Sequence, residues 1–224
     1  MSNSEEFRRW ARNALNGRWL EAILAGIVIG FLGSGPSLLS TPIRINLDMS
    51  SNTIAEEQTG LLMILGMLTL IWVVVLFVIG GALQLGYCLF NLNLVDGKPA
   101  QVSNLFSQFH RIGTGICMNF FLFLFEFLWS LLFIIPGIIA AYSYAMTPYI
   151  LAEHPEYGAL EAIRMSKEMM RGNKMRLFIL NLSFIGWILL SILTCGLGML
   201  AVTPYMQAAN AAFYREVSAQ TFPA

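Results

Sequence analysis

The chain has 224 residues, 57% of them apolar and only 12% charged, and its formal net charge is zero. A soluble domain carries roughly 25% charged residues, so these are too few to cover a water-facing surface of this size. A zero net charge also leaves no basic field for nucleic acid.

In chain order, residues 1–17 place Phe7, Trp10, Ala11, Ala14 and Leu15 on one helical face, with Arg8, Arg9 and Arg12 elsewhere. This pattern predicts an amphipathic helix lying in a membrane interface. An apolar run follows at 19–43, interrupted only by Glu21, and its far end carries Gly30-Phe31-Leu32-Gly33-Ser34-Gly35. The glycines read as close helix packing or a helix stop. No small-residue cleavage site follows the run, so a retained first span is expected instead of a cleaved signal. Three further runs come later: 58–95 has no charge, 112–152 only Glu126, and 177–214 none. A bilayer core needs about 20 apolar residues of helix, so each of these holds a pair of spans or one unusually long helix. Residues 61–79 and 120–135 are apolar on nearly all sides, which fits helices in lipid and not the alternation of a β-barrel.

Lys and Arg set the expected topology, because cytoplasmic flanks are rich in them. Arg8, Arg9, Arg12 and Arg18 precede the first run, and Lys98 and Arg111 lie between the second and third. Arg164, Lys167, Arg171, Lys174 and Arg176 lie before the fourth, and Arg215 follows it. Residues 40–60 set Arg44 against Asp48, Glu56 and Glu57 and are assigned outside. The second run then crosses an odd number of times, and the third and fourth twice or not at all. Pro136-Gly137 and the stretch around Gly196 supply the turns for two crossings. The expectation is one all-α membrane domain over 1–224 with both termini cytoplasmic. It has six helices near 19–40, 60–82, 115–135, 137–152, 176–194 and 197–214. They pair as hairpins within 18–95, 101–152 and 158–215, each preceded by a cytoplasmic amphipathic segment. The fourth helix is short enough that a re-entrant segment stays open. Gly80-Gly81 marks a bend in the second run, and Pro148 and Pro204 mark interior kinks.

The hairpins look like copies of one motif. Val102, Leu105, Phe106 and Phe109 share a helical face ahead of the second, and Leu160, Ile163 and Met170 lie together ahead of the third, flanked by Arg164, Lys167 and Arg171. Leu15-Asn16-Gly17-Arg18-Trp19 resembles Met170-Arg171-Gly172-Asn173-Lys174, with Arg111-Ile112-Gly113 a weaker copy. Trp129, Pro136-Gly137 and Thr147-Pro148-Tyr149 parallel Trp187, Gly196 and Thr203-Pro204-Tyr205.

A set of residues resembles one bacterial family: Pro136-Gly137-Ile138, Tyr144, Glu161-Ala162-Ile163, Ser166, Met170-Arg171-Gly172, Leu182-Ser183-Phe184-Ile185-Gly186-Trp187, Thr194, Gly196, Pro204-Tyr205 and Phe213-Tyr214. It is the uncharacterised integral-membrane family called domain of unknown function 975. That family looks related to the membrane domain joined to some glycerophosphodiester phosphodiesterases. The resemblance is closest over residues 130–215, with Arg9, Leu15 and Gly17 as N-terminal anchors. It implies a multi-pass protein of the bacterial plasma membrane and transfers no catalytic residue.

Little in the sequence suggests chemistry. His110 and His154 fall in different segments without a partner at helical spacing, so no metal is expected. Cys88, Cys117 and Cys195 lie inside apolar runs and read as packing residues. No cofactor and no enzymatic activity are expected. Glu126 sits between Phe125 and Phe127 near the middle of a span, where a charge costs at least about 2.5 kcal/mol on insertion scales. It reads either as a titrating carboxylate in a transport path or as a protonated group bonded to Asn119, Ser130, Asn181 or another internal partner. Asn181, Ser183, Tyr142, Tyr144, Gln207 and Asn210 place polar groups within the last two hairpins. They form either a polar-lined cavity or ordinary interhelical bonds. Trp19, Trp129, Trp187, Tyr149 and Tyr205 are candidate interface anchors. The functional expectation is a non-enzymatic membrane organiser or accessory subunit that binds lipid, further copies of itself or other membrane proteins. The alternative is a transporter or channel for a small or amphiphilic solute, working through Glu126.

Overall fold

The computed structural model describes residues 3–32, 56–132, 134–194, 196 and 198–221. The glycine-rich stretch from Gly33 to Gly35, the acidic segment with Arg44 and Asp48, and Cys195 lie outside the described residues. Ten α-helices and two short 3-10 turns make up the described chain, with no strand among those residues.

The first helix, α1 (Ser4–Leu15), begins where the Asn3 N–H donates to Glu6 Oε2 at 3.0 Å. Glu5 and Glu6 in its first turn and Arg12 in its last complement the helix dipole. Phe7, Ala11 and Leu15, spaced by four, are buried against the last helix of the chain, so this face meets protein. Gly17 takes φ 79° and turns the chain into α2 (Trp19–Leu32), where Ala22 and Ala25 are buried.

The third helix, α3 (Glu56–Val95), is 40 residues long, about 60 Å at the usual rise. It runs unbroken through Gly80 and Gly81, where a bend was expected. Those glycines serve a contact: a Cβ at Gly81 would lie 2.5 Å from the Gly115 backbone of α4 (Ile112–Leu132). The helix divides in two. Nearly every described side chain over 63–75 is exposed, whereas most over 76–95 are buried. Gly97 (φ 72°) ends it, and the expected amphipathic helix at 101–111 is instead two 3-10 turns, Val102–Phe106 and Phe109–Arg111. They fold there because Leu105 is buried directly over Gly86.

The expected helix at 137–152 is α5 (Ile134–Tyr144) and α6 (Thr147–Glu153). Pro136 and Gly137 fall in the first turn of α5, where proline's missing N–H has no acceptor to lose. Pro148 opens α6 instead of kinking a longer helix. The break is capped from outside: the Met146 N–H donates to Ser166 Oγ at 3.2 Å, and the Ser166 hydroxyl donates to the Ser143 carbonyl at 2.9 Å. Ser166 lies on α7 (Ala159–Met169), whose buried stripe is Ala159, Ala162, Ile163, Ser166 and Met169. Leu160, expected on that face, is exposed, as are Arg164, Lys167 and Arg171.

Gly172 (φ 86°) repeats the junction at Gly17 and leads into α8 (Lys174–Leu182). A turn at Ser183-Phe184 separates it from α9 (Ile185–Leu193), and Gly196 (φ 87°) stands in the expected turn before α10 (Met199–Thr221). The last helix is the axis of the molecule. Ala208, Ala209, Ala211 and Ala212 are fully buried, and these small side chains let α1, α2, α3, α7, α8 and α9 all pack on it. Pro204 lies inside this helix.

Among the described residues, four segments are long and apolar enough to cross a membrane: Met63–Val95, Val102–Trp129, Ile135–Glu153 and Lys174–Leu193, with Trp19–Gly30 a shorter apolar helix. Polar contacts gather at helix ends. Arg18 Nη1 donates to the Lys98 carbonyl, Arg111 to the Leu151 and Pro155 carbonyls, and Arg215 to both Asp96 and Glu153. Arg176 pairs with Glu216 at 2.6 Å.

Candidate ligand cavity

The helix breaks leave a space. α2 packs on α3 and α10, while α5 packs on α8. A cavity of about 790 Å³ lies among these helices and α6. Its α10 wall is Met199, Leu200, Thr203, Pro204, Gln207 and Asn210, one helical face. From α2 it takes Ile23, Gly26, Ile27, Ile29 and Gly30, and from α3 Gln84, Tyr87 and Cys88. Tyr142, Pro148 and Tyr149 close it from α5 and α6, and Leu177 and Asn181 from α8. A Cβ at Gly26 would make only ordinary contact with Tyr87 Oη at 3.8 Å and Pro204 Cδ at 3.9 Å, which places these three residues side by side in the wall.

The polar groups are only partly satisfied. The Tyr149 hydroxyl donates to Gln207 Oε1 at 3.2 Å, leaving the Gln207 amide N–H free to donate elsewhere. Among the described residues, the Tyr87 hydroxyl and the Oδ1 atoms of Asn181 and Asn210 are buried without a partner. Buried polar groups nearly always have one, and an orphan costs about 1–3 kcal/mol. Among the described residues, no Asp, Glu, Lys, Arg or His lines the space. Arg176, next in sequence to Leu177, is engaged by Asn173 and Glu216 and lies over the Phe7 and Phe213 rings.

Of the residues singled out in the sequence, Asn181 lines the cavity together with Tyr142, Gln207 and Asn210. Tyr144 lies elsewhere, in a small cluster with Ala140 and Ile163, its ring 6.0 Å from Phe125. The Ser183 hydroxyl donates to the Leu180 carbonyl at the α8–α9 turn. Glu126 and Asn119 sit on α4, away from the cavity, and neither makes a side-chain hydrogen bond among the described residues. Tyr149 and Tyr205 are buried, the Tyr205 hydroxyl donating to the Arg8 carbonyl, whereas Trp19, Trp129 and Trp187 are exposed. Gln84 and Tyr87 line the cavity but drew no notice in the sequence, and Thr203, also in the lining, stood out there only as part of the repeat. The signal available was Tyr87 and Gln84 interrupting a run of small and apolar residues three apart. Among the described residues, no three or more His, Cys, Asp or Glu converge where a metal ion could sit.

No curated protein and no solved structure matches the chain significantly. One family model does, described as protein of unknown function (DUF975), over residues 1–143 and 130–221. Those two matches overlap and together run through nearly the whole chain, as do the helices that build the cavity. The chain therefore belongs to this DUF975 family of proteins of unknown function.

Proposed function

We propose that this is a non-enzymatic polytopic membrane protein of the bacterial plasma membrane, an organiser or accessory subunit that binds lipid or partner membrane proteins. It crosses the membrane six times in three hairpins, with both termini and the basic connecting segments in the cytoplasm. The polar contacts between helix ends carry this reading. They link the starts of α2 and α4 to the ends of α3 and α6, and the start of α8 to the end of α10. A chain that leaves and returns to one charged end three times fits three hairpins. Large apolar side chains are exposed beyond that end, including Leu68, Ile71, Phe127, Leu131, Leu190 and Leu193. Soluble monomers rarely expose contiguous apolar patches beyond a few hundred Å², whereas a bilayer supplies hydrocarbon neighbours.

Arg9 and Arg12 are exposed on α1, Arg164 and Lys167 on α7 and Arg171 just after it, with Trp10 and Leu160 exposed beside them. This is a collar suited to an anionic leaflet, at about 1 kcal/mol per basic residue. The resemblance to the membrane domain of some phosphodiesterases supports a role without chemistry of its own. The uncharged cavity lining supports it too. Transport through Glu126 has no such observation behind it, because the cavity does not reach that residue.

The test is topological. Lys98→Cys and Lys174→Cys are made separately with the native cysteines replaced, and intact cells are treated with an impermeant maleimide. Both positions are expected to stay unlabelled until the membrane is permeabilised. Labelling of one but not the other in intact cells would refute the hairpin layout. A chain that stays monodisperse without detergent would refute membrane residence altogether.

A further inference from the structure

Among the described residues that line it, the cavity has polar groups towards one end of α10, apolar groups towards the other and no charged side chain. We propose that it holds one uncharged membrane amphiphile, of the class whose head offers a hydroxyl or amide donor beside ester or amide carbonyls. This assignment rests on the membrane reading above.

The polar end is formed where α8 and α10 run side by side. The Phe184 and Tyr205 rings meet at 5.1 Å. Asn181 lies three residues before Phe184, Gln207 and Asn210 lie two and five residues after Tyr205, and all three amides line the cavity. Among the described residues, the Asn181 and Asn210 oxygens have no donor and the Gln207 amide is bonded through its oxygen alone. A hydroxyl or amide N–H can donate to either asparagine, and a carbonyl beside it can accept from Gln207. About 15 Å along α10 the wall becomes Met199 and Leu200, facing Ile27 and Ile29 of α2, which suits the chain that follows such a head.

Charge selects the class. A phosphate or carboxylate brought among these amides would find no cation among the described lining residues. Arg176, next in sequence to the lining residue Leu177, is held by Glu216 and by the two phenylalanine rings. A buried anion without a partner is disfavoured far more strongly than a hydrogen-bonded neutral head. The volume, about 790 Å³, lies within the range of cavities that enclose small ligands.

The test uses the full chain in phosphatidylcholine vesicles with a trace of diacylglycerol carrying a diazirine in one acyl chain. Labelled peptides are mapped by mass spectrometry after irradiation. Label is expected in the α2 and α10 walls, displaced by excess unlabelled diacylglycerol and not by phosphatidic acid. The double substitution Asn181→Leu with Asn210→Leu is expected to reduce that label about tenfold, while label over residues 63–75 stays constant. Constant label there also shows that the variant remains inserted. Label in the cavity walls that no lipid displaces would mean bulk lipid and overturn the proposal, as would displacement by phosphatidic acid equal to that by diacylglycerol. Resistance to carbonate extraction is read separately, so loss of the membrane reading is distinguishable from loss of this one.

Discussion

At single positions, the tightest constraints are glycines that touch another backbone. A Cβ at Gly86 would lie 2.1 Å from the Leu105 carbonyl oxygen, and Gly81 and Gly115 press on each other. Neither neighbour is the yielding end of a side chain, so an added methyl must move a helix. Gly86→Ala and Gly81→Ala are each expected to destabilise by about 3 kcal/mol, the upper range for overpacking. Gly113→Ala, whose Cβ meets nothing within 4 Å, is the matched control and is expected to be neutral or slightly stabilising. Thermal unfolding in detergent, followed by far-ultraviolet circular dichroism, separates the three. The same glycines show a limit of sequence reading. Gly80-Gly81 carries an identical local signal whether the chain bends there or another backbone arrives, and only the partner at Gly115 decides.

At the scale of elements, α1 is held by protein contacts more than its sequence suggests. Its face of Phe7, Ala11 and Leu15 reads as amphipathic, and periodicity says that this face is buried without saying in what. Here α10 covers it: Phe7 meets Phe213 edge-on at 5.4 Å, and Arg176 lies over both rings. Phe7→Ala is expected to cost about 3–4 kcal/mol and to expose α1 to protease before the rest of the chain, which limited trypsin digestion at Arg8, Arg9 and Arg12 would detect. The junction glycines were legible, since Gly17 and Gly172 stand in matching sequence and take φ 79° and 86°. Gly172→Ala is expected to cost about 1 kcal/mol from the left-handed backbone alone, seen as a lower unfolding midpoint. The apolar runs were legible as helices because nothing else satisfies so much backbone among apolar side chains. Their interruptions were less so. Proline marks a boundary to within a turn, so Pro136 and Pro148 pointed to breaks that lie just before them. The segment at 101–111 took the wrong form because four apolar residues in ten fit a helical face, whereas Leu105 over Gly86 requires a tighter turn.

For the whole molecule, helices that share an apolar exterior need something specific to fix which ends meet. The cavity illustrates the difficulty of reading this in advance. Its lining comes from six helices, and the partners of Tyr87 or Asn210 cannot be read from the residues around them in sequence. The charged end is the clearer fixing device. Arg215 of α10 reaches Asp96 through two donors at 2.8 and 2.6 Å and Glu153 through a third, so one guanidinium joins α3, α6 and α10. Burial pulls its pKa down, but the bonds to Glu153 and Asp96 outweigh this and hold it above the ordinary arginine value. A raised basic pKa stabilises the fold fully below the unfolded value, and that contribution is lost only as pH rises on through the folded value, so the group stays charged at any working pH. Asp96 and Glu153 are 20% and 29% exposed, which limits screening by water and salt. Arg215→Leu leaves two neighbouring carboxylates without this cation and is expected to cost about 2 kcal/mol, with Lys98 retaining part of Asp96. Arg215→Lys should recover less than half, because one ammonium cannot serve both carboxylates through the same fork. Adding Glu153→Gln to Arg215→Leu should cost less than the two single losses summed, by about 1 kcal/mol, since the second change removes an orphaned charge. Unfolding by graded addition of a denaturing detergent gives these values. Strict additivity would mean that the three helix ends are held by packing alone.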